Sequence, residues 1–295
     1  MKRHCVVRRI VTVGVTWLAA LLGVNVVFSP IVTSAGHAAD ASPWDGGSRS
    51  AARLIAGNVS VSDGQRIWRA GIDIKLAPGW KTYWRYPGDS GVPPRFNFSR
   101  SENVAGVEVA WPAPHSFADE GGHSIGYQNE FILPLRVTAK QPDRPIVLRL
   151  DLDYAICEKL CVPVEANAEL TLTGEPSSLE PALAMNEALV PKAVKLGADL
   201  PLSIRTVTRT AQKPVDRIIV EVRAPPNTHV DLFAEGPGPD WALPLPEPVA
   251  GGPQGSELFA FALDGLPPGA NPHGIDLKLT AVADTKAIEV TARLD

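Results

Sequence analysis

An all-β chain of two tandem sandwich modules joined by a short helical connector is the fold class this sequence predicts. Three observations carry it. Proline and glycine are dense, 28 and 25 of 295 residues, a punctuation that suits many short strands better than long helices. Hydrophobic residues alternate with polar ones at period two in several runs, as half-buried strands require. The composition, 45% hydrophobic with net charge -4, supports real cores and excludes a disordered or collagenous chain. It offers no basic field for nucleic acid.

Residues 1–38 read as an export signal. Lys2, Arg3, Arg8 and Arg9 precede an apolar stretch from Ile10 to Phe28, and small residues around Gly36 to Ala39 follow. Cleavage after Ala38 is expected, although the apolar stretch is long enough to serve as an uncleaved membrane anchor. Removal of four basic residues and no acid takes the net charge from -4 to -8. Cys5 leaves with the signal, so Cys157 and Cys161 remain as an even pair in a compartment where disulfides persist.

Residues 39–52, polar and glycine-rich, predict a flexible leader. The first module, 53–174, is built from clear alternations. Trp68, Ala70, Ile72, Ile74 and Leu76 share one parity against Arg69, Asp73 and Lys75. Leu133, Leu135 and Val137 alternate with Arg136 and Thr138. Ile146 through Tyr154 alternate with Arg149, Asp151 and Asp153, and Val164 through Leu172 with Glu165, Asn167 and Glu169. Residues 175–199 form a connector in which Leu179 to Val190 has helical character, with Ser177 or Ser178 as a cap. The second module, 200–295, shows the runs Ile218–Val222, Ile275–Leu279 and Ile288–Leu294, separated by proline-rich loops such as Pro237 to Pro248.

Chemistry concentrates in Tyr154-Ala155-Ile156-Cys157-Glu158-Lys159-Leu160-Cys161-Val162-Pro163. Strands end near Tyr154 and restart near Val164, so the cysteines sit at a hairpin mouth within disulfide range. A ring this small stabilises by only roughly 2 kcal/mol on the chain-entropy estimate. Strand parity puts Cys157 with Asp151 and Asp153, and Cys161 with Glu165, so both sulfurs are expected off the core face and reachable by another protein. Lys159 would favour a thiolate while Glu158, Asp151 and Asp153 oppose it. Geometry alone leaves a redox-active and a structural disulfide both open.

Other residues read more plainly. Trp68, Trp80, Trp84 and Trp111 are expected to pack in cores and loops, Asp89 to form a turn, and His115 and His123 to be surface side chains. Neither a nucleotide-binding glycine loop nor a serine nucleophile elbow is visible, and no cofactor is expected.

Four motifs, in order, resemble the periplasmic N-terminal region of thiol:disulfide interchange proteins of the DsbD type, and more closely the ScsB type linked with copper tolerance. They are Gly79-Trp80-Lys81-Thr82-Tyr83-Trp84-Arg85-Tyr86-Pro87-Gly88-Asp89-Ser90-Gly91-Val92-Pro93-Pro94, Trp111-Pro112-Ala113-Pro114, Gly122-His123-Ser124-Ile125-Gly126-Tyr127 and the Cys157 to Pro163 segment. The resemblance implies immunoglobulin-like modules and a protein-disulfide reductase component in the periplasm of a Gram-negative bacterium. It makes Cys157 and Cys161 the redox pair, with Cys161 the site of the mixed disulfide. A thioredoxin-like or membrane thiol:disulfide reductase would be the donor and a periplasmic disulfide protein the acceptor.

DsbD itself has a cap loop whose aromatic ring shields the cysteines. Here Glu120 and Gly121 fall where its aromatic residues would stand, so Phe117, Asp119, Glu120 and Tyr127 are candidate neighbours of the sulfurs. Two other functions compete: a Cu(I) site of Cys157, Cys161 and His123 or His115, since thiolates select that ion, and a non-catalytic binding sandwich with a structural disulfide.

Overall fold

The computed structural model describes residues 39–295 apart from 63, 89, 90, 120, 121 and 212, so the expected export signal lies outside the described residues. The described residues form one compact unit. Among the described residues no helix is long and apolar enough to cross a membrane.

The first half carries β1 (Asp45–Gly46), β2 (Ser50–Ser62), β3 (Gln65–Leu76), β4 (Lys81–Gly88), β5 (Arg95–Asn97), β6 (Val104–Val109), β7 (His115–Asp119), β8 (Gly122–Gln128), β9 (Glu130–Ala139), β10 (Ile146–Cys157) and β11 (Cys161–Leu172). They build two antiparallel sheets, in the orders β1-β2-β3-β9-β6 and β11-β10-β4-β8-β7, with β5 laid on β10. The alternating residues read from the sequence form the core between them. Trp68, Ile72, Leu133, Leu135, Leu148, Leu150 and Leu170 are all buried there, because period-two alternation delivers every second side chain to one face.

After α1 (Glu180–Ala188) come β12 (Lys192–Ala193), β13 (Ser203–Thr210), β14 (Arg217–Arg223), β15 (Val230–Glu235), β16 (Glu247–Val249), β17 (Ser256–Ala262), β18 (Ile275–Ala283) and β19 (Lys286–Leu294). These give two four-stranded sheets, β12-β19-β18-β15 and β13-β14-β17-β16, around a second core that includes Ile218, Val220, Leu277, Leu279 and Val290. Among the described residues the architecture is all-β, with one short helix.

Two expectations need correction. The segment 39–52 is ordered rather than a flexible leader. Ser42 N–H donates to Leu54 O (2.9 Å) and Ala56 N–H to Asp40 O (2.8 Å), β1 pairs with β2, and Trp44 lies between Arg53 (4.3 Å) and Lys75 (4.2 Å). A polar, aperiodic stretch still has backbone donors and acceptors, and the edge of β2 satisfies them.

The second correction concerns the helix cap. Leu179 occupies that position without a side-chain bond, while Ser177 Oγ accepts from Leu179 N–H (3.1 Å) and Ser178 bonds Asp40. The helix is also more than a connector. Its Leu183 is fully buried against Ile55 and Ile132 on the outer side of the first sheet. A Cβ at Gly71 would stand 2.5 Å from Ile132 Cγ2, so glycine lets this layer close. Arg69 beneath the helix is held by Glu180 and Glu187.

Candidate functional site

Strand β10 runs up to Cys157, turns through Glu158, Lys159 and Leu160, and returns as β11 from Cys161, its direct register partner. The two sulfurs are joined as a disulfide with Cα atoms 4.2 Å apart. Asn167 N–H points away from β10 to Asp45 Oδ2 (2.6 Å). The same alternation makes Cys157 and Cys161 a non-hydrogen-bonded pair, the close-approach position of an antiparallel ladder. The register itself therefore brings the sulfurs together.

Both cysteines lie on the outer face, as their parity requires, but they are not equally open. Cys161 is exposed, whereas Cys157 is 8% exposed and clusters with Ala155 and Tyr83. The expectation that both sulfurs are reachable is corrected for Cys157. The reason is non-local: β4 lies beside β10, with Lys81 opposite Cys157 and Thr82 opposite Ile156. Thr82 Oγ1 donates to Ala155 O (2.8 Å) and fixes that pairing. Tyr83 then reaches over the disulfide and its phenol lies 3.0 Å from Cys161 Sγ. Disulfide sulfurs carry no hydrogen, so the phenol O–H donates. Upon reduction the same O–H would face Cys161 Sγ, and a hydrogen bond to a thiolate there would favour the charged form.

The Tyr83 ring is fixed from its other side by Gly91, where a Cβ would stand 2.6 Å from Cδ1. At the hairpin tip, Glu158 leans over the turn of Ala77 to Trp80, closed by Trp80 N–H to Ala77 O (3.0 Å). Gly79 there has φ +84°, and its missing side chain leaves room for Glu158 Oε1. Leu160 projects into solvent, 79% exposed. Cys161 borders an open groove of about 490 Å³ walled by Val92, Pro93, Arg95, Asp153 and Pro163.

The candidate neighbours separate. Phe117 on β7 pairs with Ser124, which by register shares the face of Tyr83 and Cys157, and its ring receives Lys81 Nζ at 5.6 Å. It thus stands three strands over from Cys157, with β8 and the buried Lys81 of β4 between. Asp119 closes β7 opposite Gly122, and Glu120 lies outside the described residues.

Tyr127 is not a neighbour of the sulfurs. It pairs with Thr82 and points into the core, where it stacks on Phe131 at 4.3 Å and donates to Pro112 O (2.8 Å). Complete burial raises its pKa well above the ordinary tyrosine value, against a smaller opposing effect of the Arg85 charge.

His123 pairs with Ala118, which places it on the opposite face from Cys157, beside Ser116 (3.5 Å). Cys157, Cys161 and His123 are therefore not gathered. Among the described residues no group of three His, Cys, Asp or Glu side chains could hold a metal ion. Trp68 and Trp84 are buried in the core, and Trp80 and Trp111 pack against it. Asp89 lies outside the described residues.

Tyr83 and Lys81 are the residues that sequence reasoning missed. They stand at alternate positions of Lys81-Thr82-Tyr83-Trp84 on the strand beside the cysteines, but all four residues are buried, so alternation gives no signal for them.

Residues 54–173 match the family model of the thiol:disulfide interchange protein DsbD, N-terminal. The fold is similar to that of the N-terminal periplasmic domain of ScsB from Proteus mirabilis. That crystal structure shares 20% identity with this chain at a TM-score of 0.66, over 86% of this chain and 98% of the other. No curated protein matches the chain by sequence. The module that holds the joined cysteines therefore belongs to the DsbD N-terminal family, and the protein is one related to thiol:disulfide exchange.

Proposed function

We propose that this protein relays electrons through Cys157 and Cys161 in the periplasm of a Gram-negative bacterium, after removal of residues 1–38 as an export signal. The donor is a thioredoxin-like or membrane thiol:disulfide reductase, and the acceptor is a periplasmic disulfide protein. One observation carries the reading: an exposed Cys161 sulfur joined to a buried Cys157 sulfur, with a phenol O–H 3.0 Å from the exposed one.

A donor thiolate attacks Cys161 Sγ in line, forming the mixed disulfide while the Cys157–Cys161 bond breaks. The electron pair leaves on Cys157 Sγ, which takes up a proton. The donor's second thiolate then attacks its own partner sulfur and frees Cys161 as a thiolate. Two electrons have then moved to the pair, with one proton on Cys157 and Cys161 left as the thiolate. In the forward half, Cys161 attacks the acceptor disulfide and Cys157 resolves the mixed disulfide, so the acceptor departs as a dithiol. Burial keeps Cys157 from meeting a large partner first, and Tyr83 favours Cys161 as the thiolate that attacks or leaves.

The test is Cys157→Ala with Cys161 retained, expressed in the periplasm and separated without reductant. A covalent adduct with a periplasmic protein, released by reductant and lost on further Cys161→Ser substitution, is expected. Recovery of unlinked monomer alone would overturn the proposal.

A further inference from the structure

Strand β4 carries the sulfur contacts at one end and the grip of the second module at the other. Two residues beyond Tyr83, Arg85 donates from Nε and Nη2 to Glu235 (2.9 and 2.7 Å) and from Nη2 to Glu289 (2.5 Å). Glu235 ends β15 and Glu289 lies within β19, both in the second module. Burial works to lower the Arg85 pKa, but the two carboxylates more than offset it and the net direction is up. Lys278 adds a more distant cation, 3.7 Å from Glu289.

The neighbours of Arg85 on the strand join the same grip. Trp84 is fully buried with its ring 5.8 Å from Phe233, and Tyr86 O–H donates to Leu243 O (2.6 Å). Phe233 and Val282 of the second module belong to the core of the first. A strand advances about 3.3 Å per residue, so Arg85 and Tyr83 stand only about 7 Å apart along the same strand, on the stretch where pairing with β8 shifts register between Tyr83 and Gly88.

We infer that Arg85 is a positioning residue for the redox pair: Glu235 and Glu289 hold β4 in place through it, and the second module thereby sets the Tyr83 phenol against Cys161. The inference rests on the redox reading above and assigns the second module a part in it. Loss of the guanidinium would remove the attraction that ties β4 to the second module and leave Glu235 and Glu289 without their shared cation at a half-buried seam, so the strand would no longer be held there. The phenol would retract from Cys161, and the reduced pair would lose a donor to its thiolate.

The experiment compares Arg85→Met, Tyr83→Phe and the double variant in the full chain. The readout is the equilibrium of the Cys157–Cys161 pair with dithiothreitol at mildly alkaline pH, where thiols ionise. Arg85→Met and Tyr83→Phe should each shift the equilibrium toward the disulfide, by about threefold or more, and the double variant should shift it no further than the larger single change. Arg209→Met, which breaks the Arg209–Asp216 pair inside the second module (2.6 Å), should lower the melting temperature without moving the equilibrium.

If Arg85→Met unfolds the chain, the paired change Glu235→Gln with Glu289→Gln retains the side-chain shapes and should give the same shift. A wild-type equilibrium in the folded Arg85 or glutamate variants, or an Arg85 effect that simply adds to that of Tyr83, would overturn the coupling. This equilibrium is measurable whether or not a protein partner is trapped, so failure of the coupling and failure of the relay reading give different results.

Discussion

The chain contains two long hairpins that close their modules, β10–β11 and β18–β19, and both break the in-out alternation near the turn. On β10, Ala155 and Cys157 are buried although they lie on the outer face. On β18, Thr280 and Val282 are buried on the outer face in the same way. The covers differ. The first is roofed by Tyr83 from its own module, whereas the second is roofed by the neighbouring module, whose core takes in Val282 and Phe233. The loops differ too: three residues span Cys157 to Cys161, while β18–β19 turns through Asp284, at φ +53°, and Thr285. A hairpin whose outer face is buried thus signals a contact, and the origin of the covering residue separates a chemical contact from a docking one.

The comparison is most severely tested by Phe233→Ala. A fully buried aromatic at the seam should cost about 3–5 kcal/mol on truncation, seen as a lower denaturant midpoint; a loss below about 1 kcal/mol would mean that the second hairpin is not held by its neighbour. The first hairpin is sharpened by Tyr83→Phe, which deletes only the hydroxyl. A hydrogen bond to a charged group is worth about 1.5–3 kcal/mol, so the Cys161 thiol pKa should rise by about one to two units, read from thiolate absorbance against pH. An unchanged titration would reduce Tyr83 to packing.

The smallest effect is expected from Tyr127→Phe, on the inner face. Loss of its bond to Pro112 should cost about 1 kcal/mol at neutral pH. Its folded pKa is raised by burial, so its contribution is complete below the unfolded value of about 10 and is lost as pH climbs toward the folded value. Tyr154 is raised in the same direction, burial outweighing its Ser50 bond. The variant should therefore lose stability less steeply above about pH 10, in denaturation curves taken across that range.

The contrast also explains what could be read from sequence. Ile146 to Tyr154 and Val164 to Leu172 alternate cleanly because one face of each meets the core, and their parity placed the cysteines on the correct face. Burial of Cys157 was not legible, since it comes from Tyr83, a residue 74 positions earlier in the chain. Strand β4 hid for a related reason. Its residues from Lys81 to Trp84 are buried on both faces, so no period-two signal survives. Tyr127 was misplaced because alignment of a motif fixes a position along the chain and says nothing about which way the side chain faces; its pairing with Thr82 decides that. The ordering of residues 39–52 depended on the unfilled edge of β2, which local composition does not reveal.

Strand β11 borders its sheet, and beside the exposed sulfur its outward-facing position 163 is proline. Proline has no amide hydrogen, so a visiting strand that tried to zip onto this margin would find a gap in the ladder right where it begins. On the proposed relay, a guest would thus be held by its sulfur and side chains rather than by a run of backbone bonds, and would depart once the covalent link is undone. A shuttle needs that kind of loose grip, and self-association through the same margin is discouraged by the same missing hydrogen.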